Sequence, residues 1–174
     1  ARCGIMPFVA ASVTLSTFGT ATRLTATITP ATDVPVGGAI RIDIPDAFAD
    51  MFVPSVKLDV EAAKISGTLE ARCVEGVGSS GPFRIVVHRA AGDATAVNLM
   101  DANTKYIVTL VSGLNVPAAH YIELNDIIMV ATVRNADEPF SMRLDHRVLP
   151  ASKVAPAGLS YGTTSLIFTR LSNI

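Results

Sequence analysis

The stretch from Arg23 to Phe48, RLTATITPATDVPVGGAIRIDIPDAF, alternates apolar and polar positions on both sides of a Thr/Asp/Pro/Gly turn. Leu24, Ala26 and Ile28 fall on one face of a first strand, with Arg23, Thr25, Thr27 and Thr29 on the other. Ile40, Ile42 and Ile44 share one face of a second strand, opposed by Arg41 and Asp43, and Pro45 closes it. A period of two is what a sheet with one dry and one wet side requires. The same pattern predicts strands over 8–18, 21–29, 39–45, 56–60, 65–73, 83–88, 105–112, 121–133 (broken near Asn125 and Asp126), 140–144 and 163–171. Turn signals separate them, among them Gly37-Gly38, Gly76 to Pro82, Ala91-Gly92-Asp93 and Ser112-Gly113. The predicted fold is all-β, a mostly antiparallel sandwich of about 8–10 strands. Its inward positions are Leu24, Ala26, Ile28, Ile40, Ile42, Ile44, Ile107, Thr109 and Val111. Only Asp93 to Thr104 leans helical, with Ala94, Val97 and Met100 on one side of a short helix.

Length sets a single domain over 1–174, able to bury roughly two-thirds of the surface of its unfolded chain. Hydrophobic residues make up 49% and charged residues 17%, an apolar excess that suits a subunit whose outer face is covered by neighbours. The formal net charge is −1 and the 14 basic residues are scattered, so no stripe for nucleic acid is present. No apolar run approaches the ~20 residues of a spanning helix, so no membrane insertion is expected. The chain starts at Ala1, which suits either a mature form after signal removal or a piece of a longer protein.

Cys3 and Cys73 make one pair. A disulfide between them would close a loop of about 70 residues and contribute ~4 kcal/mol; the alternative is two unlinked thiols. The bond is the expectation, because Cys3 sits in a tail that would otherwise fray and the rest of the chain reads as extracellular.

Chemistry is sparse. His88, His120 and His146 lie in separate segments without metal spacing. Ser141, Asp145 and His146 offer a Ser-His-Asp set, but no nucleophile elbow marks any serine. Asp43, Asp46 and Asp50 offer oxygens for calcium without an EF-hand pattern, and a solvated turn explains them as well. Gly37-Gly38 is followed by neither helix nor Lys, and reads as a turn supplying positive φ. Asp137-Glu138 beside Pro139 reads as a polar turn. No enzyme, cofactor or metal is expected.

Three segments carry a resemblance. TLSTFGTATRLTATITPATDVPVGGAIRIDIPDAF, NLMDANTKYIVTLVSGLNVP and the following Val130-Ala131-Thr132 strand resemble an immunoglobulin-like β-sandwich repeat. That repeat occurs in large extracellular proteins of protists, algae and some prokaryotes. The pattern departs at Asn115-Val116-Pro117, where the family more often sets Asn next to Pro. The resemblance implies an extracellular or cell-surface protein in the style of flagellar-hair and adhesin repeats, with no catalytic residues.

Two classes of function follow. One is a structural subunit that polymerises with copies of itself. The other is an adhesin or carbohydrate-binding module with a glycan partner. The absence of Trp, with only three Tyr, leaves few platforms for sugar rings and favours the first. The terminal segments, Phe8 to Leu15 and Ser165 to Leu171, stay apolar and strand-like, with Pro7 and Arg170 as their only guards against edge pairing. Donation of the segment 1–12 to a neighbour would bury Phe8, Val13, Leu15, Leu166 and Phe168 at the junction.

Overall fold

The computed structural model describes residues 7–18, 21–44, 58–74, 83–90, 97–112, 127–139, 143–154 and 158–161. These hold twelve strands and no helix: β1 (Ala10–Phe18), β2 (Ala21–Thr29), β3 (Val34–Pro35), β4 (Ala39–Ile44), β5 (Asp59–Ala63), β6 (Leu69–Val74), β7 (Phe83–Arg89), β8 (Asn98–Met100), β9 (Tyr106–Ser112), β10 (Ile127–Val133), β11 (Arg143–Val154) and β12 (Gly158–Tyr161). Ten of them form one continuous antiparallel ribbon in the order β5-β9-β2-β1-β12-β11-β10-β4-β7-β6. It folds over on itself as a sandwich, with one layer running from β5 to β12 and the other from β10 to β6.

The fold turns at β11. Its residues up to Pro150 pair with β10, and Ala151 to Val154 pair with β12 in the other layer. Proline has no amide hydrogen to give a ladder, so a corner is where a strand tolerates it. On the opposite side β5 and β6 close the gap through a Leu58–Ala71 bridge. Both flanks of the sandwich are thereby joined. Outside that bridge the edges carry Asp59, Glu61, Glu70 and Arg72, charges of the kind that discourage strand addition.

Apolar residues of both layers meet in one core. Leu24, Ala26 and Ile28 of β2 face Ile40, Ile42 and Ile44 of β4, with Ile85, Val87, Ile128, Val130 and Leu149 beside them. The alternation of β2 and β4 thus sets their dry faces as expected. In β9 the phase is the reverse of the expectation: Tyr106, Val108 and Leu110 are buried, Ile107 is 41% exposed, and Thr109 and Val111 share its outer side. The register explains this, because Leu110, Val108 and Tyr106 stand opposite Leu24, Ala26 and Ile28 of β2. Among the described residues the exposed large hydrophobics are Val9, Val97 and Ile107.

The helical leaning over 93–104 is not met within its described part. Asn98–Met100 is a strand paired with Val34–Pro35, and Leu99 and Met100 are buried while Val97 is exposed. A helix would have needed Val97 and Met100 on the same buried side. Gly37-Gly38 is a turn, but its role differs from the one expected. Positive φ occurs at Lys64, Asn103 and Gly67 instead. Gly38 is required by proximity: a Cβ there would lie 2.6 Å from the Val133 carbonyl oxygen and 2.7 Å from Val34 Cγ1.

Candidate functional site

Adjacent residues of a strand point to opposite sides of the sheet, and that decides the fate of Asp145 and His146. Asp145 faces inward from β11. Its Oδ2 accepts from the Thr32 amide at 3.2 Å, and its own amide donates to Thr132 Oγ1 at 3.1 Å. His146 faces outward beside Arg41 and Arg143, opposite Ala131 of β10. The two cannot act in one acid–base relay, and Ser141 lies outside the described residues. His88, on β7, is held by a 2.9 Å contact from Nδ1 to the Arg89 carbonyl; His120 lies outside the described residues. No group of three metal-binding side chains occurs among the described residues. Asp43, offered as a calcium ligand, is instead bound by Arg41 Nε at 3.0 Å and Arg84 Nε at 3.6 Å; Asp46 and Asp50 lie outside the described residues. Asp137 and Glu138 form the expected polar turn, with Asn135 Oδ1 accepting from the Asp137 amide at 3.0 Å.

The residues proposed for assembly divide in two. Phe8 and Val13 are fully buried in the core of their own chain, and β1 is not an edge strand. It bonds along all nine residues to β2 and at Val13 to Ser16 to β12. The edge expected at Phe8 to Leu15 is therefore occupied on both sides, because β2 pairs along one flank and β12 fills the other. Leu15 stands in β1 opposite Leu24 and Leu159. Leu166, Phe168 and Cys3 lie outside the described residues. Cys73, on β6, is half-buried and packs against the main core.

The slot between β1 and β11 is the distinctive local arrangement. Four residues, Gly158 to Tyr161, fill it: Tyr161, Ser160, Leu159 and Gly158 pair with Val13, Thr14, Leu15 and Ser16 on one side. On the other side they pair with Ala151, Ser152, Lys153 and Val154. A short segment near one end of the sequence thus occupies the middle of a ten-strand ribbon. Nothing in the period-two pattern signalled this, since GLSY is too short to show alternation.

Among the described residues, the outer face of the β4-β7-β10-β11 layer gathers Arg41, Asp43, Arg84, Arg143 and His146. Arg41 and Asp43, two residues apart on β4, are both nearly inaccessible. Arg41 Nη1 donates to the Pro139 carbonyl at 2.7 Å and Nη2 to Asp43 Oδ2 at 3.2 Å. The Asn135–Pro139 turn lies across this face, tied down by the Ala136 amide bond to the Gly37 carbonyl and by Arg72 Nη2 donating to the Ala136 carbonyl. Burial pushes the Asp43 carboxyl above its ordinary range, against the pull of Arg41 and then Arg84. Burial, with the charges of Arg143 and Arg41 added, lowers His146 to about 4. Comparison with protein-family models, with curated proteins and with solved structures finds no match.

Proposed function

We propose that this chain is a structural subunit of an extracellular filament or surface layer, joined head-to-tail to copies of itself by a donated strand. The observation that carries the reading is the position of β12. With both flanks of the sandwich joined, simple addition at an edge is disfavoured, whereas the slot between β1 and β11 accepts a four-residue strand from any chain that presents one. Only Ala155-Pro156-Ala157 separates β12 from β11 in sequence. So short a connection in sequence is of the kind that favours exchange of the following strand into a neighbour. The contact is heterologous, so it propagates as a fibre unless its rotation closes a ring. The likeness to immunoglobulin-like repeats of flagellar-hair and adhesin proteins supports the same class.

The experiment pairs electron microscopy with a double substitution, Thr14→Cys and Ser160→Cys, at directly opposed positions of β1 and β12. Directly opposed strand residues lie within disulfide reach. Filaments that give a ladder of linked chains on a non-reducing gel are the expected result. Filaments whose linked cysteines stay within one chain would remove the donated strand, and purified protein that stays monodisperse would remove the filament. We further infer a Cys3–Cys73 disulfide, checked by intact mass after denaturing alkylation without reductant; two alkylated thiols exclude it.

A further inference from the structure

We propose that Arg143 and His146 of β11, with Arg41 of β4 and Arg84 of β7 beside them, form a binding site for a sulfate- or phosphate-type oxyanion. The register builds it. Arg41 stands opposite Ala131, and Ala131 opposite His146, so one small residue separates the guanidinium from the imidazole. Asp43 stands between Arg84 on one side and Met129 on the other. Arg143 reaches back over Met129, to whose Sδ its Nη1 donates at 3.0 Å.

Three arginines thus act on a single carboxylate, that of Asp43. Asp43 is already engaged by Arg41 and Arg84. Arg143 forms no ion pair among the described residues, and a thioether is a weak acceptor for a planar fork of charged donors. Its guanidinium is also half-buried and repelled by Arg41 and Arg84, with only Asp43, already shared with those two, to offset them. A divalent oxyanion meets each of these conditions: several acceptor oxygens, a charge opposite to the local excess, and a shape that the guanidinium fork grips in two places. Ala131, fully buried, brings no competing side-chain donor or acceptor, and the half-buried Arg84 and Arg143 are the part of the cluster that solvent reaches.

The other charged groups of this face are Glu70 and Arg72 on β6, His88 on β7, and the exposed Arg134, Asp137 and Glu138 of the covering turn. None of the β10 residues on it, Met129, Ala131 and Val133, is ionisable. His146 is neutral near pH 7, since its pKa is about 4. An anion beside it favours the imidazolium, so binding takes up a proton and tightens as pH falls from neutrality toward 4.

The test is a nuclear magnetic resonance titration of the full chain with sodium sulfate, against sodium chloride at matched ionic strength. The expected result is a saturable shift of the Arg143 side-chain Nε–H and the His146 ring, stronger at pH 5 than at pH 7.5, with the His146 pKa raised by saturating sulfate. Arg143→Gln should weaken binding at least tenfold, and Arg143→Lys should retain part of it. Sulfate shifts that only follow those of chloride, or equal affinity in the Gln variant, would overturn the site. Competition by a sulfated disaccharide or by O-phosphoserine then assigns the group to an ester, and its absence to the free ion; both outcomes keep the site.

Discussion

Arg147 is the most costly side chain in the core. It is 1% exposed, and its Nη2 donates to the Phe8 carbonyl while Nε and Nη1 meet no acceptor among the described residues. Burial lowers its pKa and no carboxylate opposes that shift. Replacing a buried, poorly compensated charge by an apolar side chain of similar length is often neutral or stabilising, by about 1–4 kcal/mol. Arg147→Met is expected to raise the urea midpoint with the slope unchanged; a loss of several kcal/mol would show that the Phe8 contact outweighs the desolvation. His146 makes a pH-dependent prediction. Its folded pKa of about 4 lies below the ordinary 6.5, so between these values the unfolded chain binds more protons. Stability therefore rises with pH across that window and is lost as pH falls through it. At ~1.4 kcal/mol per pKa unit the loss is on the order of 3 kcal/mol. Asp43 and Asp145, both raised by burial, act in the opposite sense above 3.8, because their protonation favours the folded state. Comparing the wild type with His146→Gln at pH 4.5 and 7.5 isolates the imidazole. The wild type should lose more stability on acidification, and parallel losses would mean that His146 is not held neutral.

Among the elements, β2 and β4 were legible because each has a single apolar face in strict alternation. β9 was misread by one residue. Its sequence YIVTLVS is apolar in both phases, and only pairing with β2 decides between them. Most of β11 escaped notice for a different reason. Its inward positions include Asp145 and Arg147 and its middle holds Pro150, so neither alternation nor composition marks a strand. The cationic cluster was equally hidden, since Arg41, Arg84 and Arg143 are far apart in sequence and only strand order brings them together. Register also constrains the inferred disulfide. Cys73, Ile85, Ile42, Val130 and Arg147 form one row across the inner face of a layer. Four strand spacings put Cys73 roughly 19 Å from Arg147, whose guanidinium touches Phe8. Five residues from Cys3 to Phe8 extend at most about 18 Å, and a disulfide itself spans about 5.5 Å between Cα atoms, so the inferred bond is within reach of an extended tail.

For the molecule as a whole, β11 pairs along its length with strands of both layers, and this matters under mechanical load. In a fibre linked through β12, tension enters one subunit after Val154 and leaves it through the borrowed strand lodged beside β1. The four rungs on each side of that strand run across the direction of pull and share the force together, because sliding must break them in concert rather than one by one. Behind them, Pro150 turns the same chain into the second layer, which spreads the load over β10 and β4. A subunit built this way acts as a link whose weakest point is the joint and not the body, so an overstretched fibre would part between subunits before any of them unravelled.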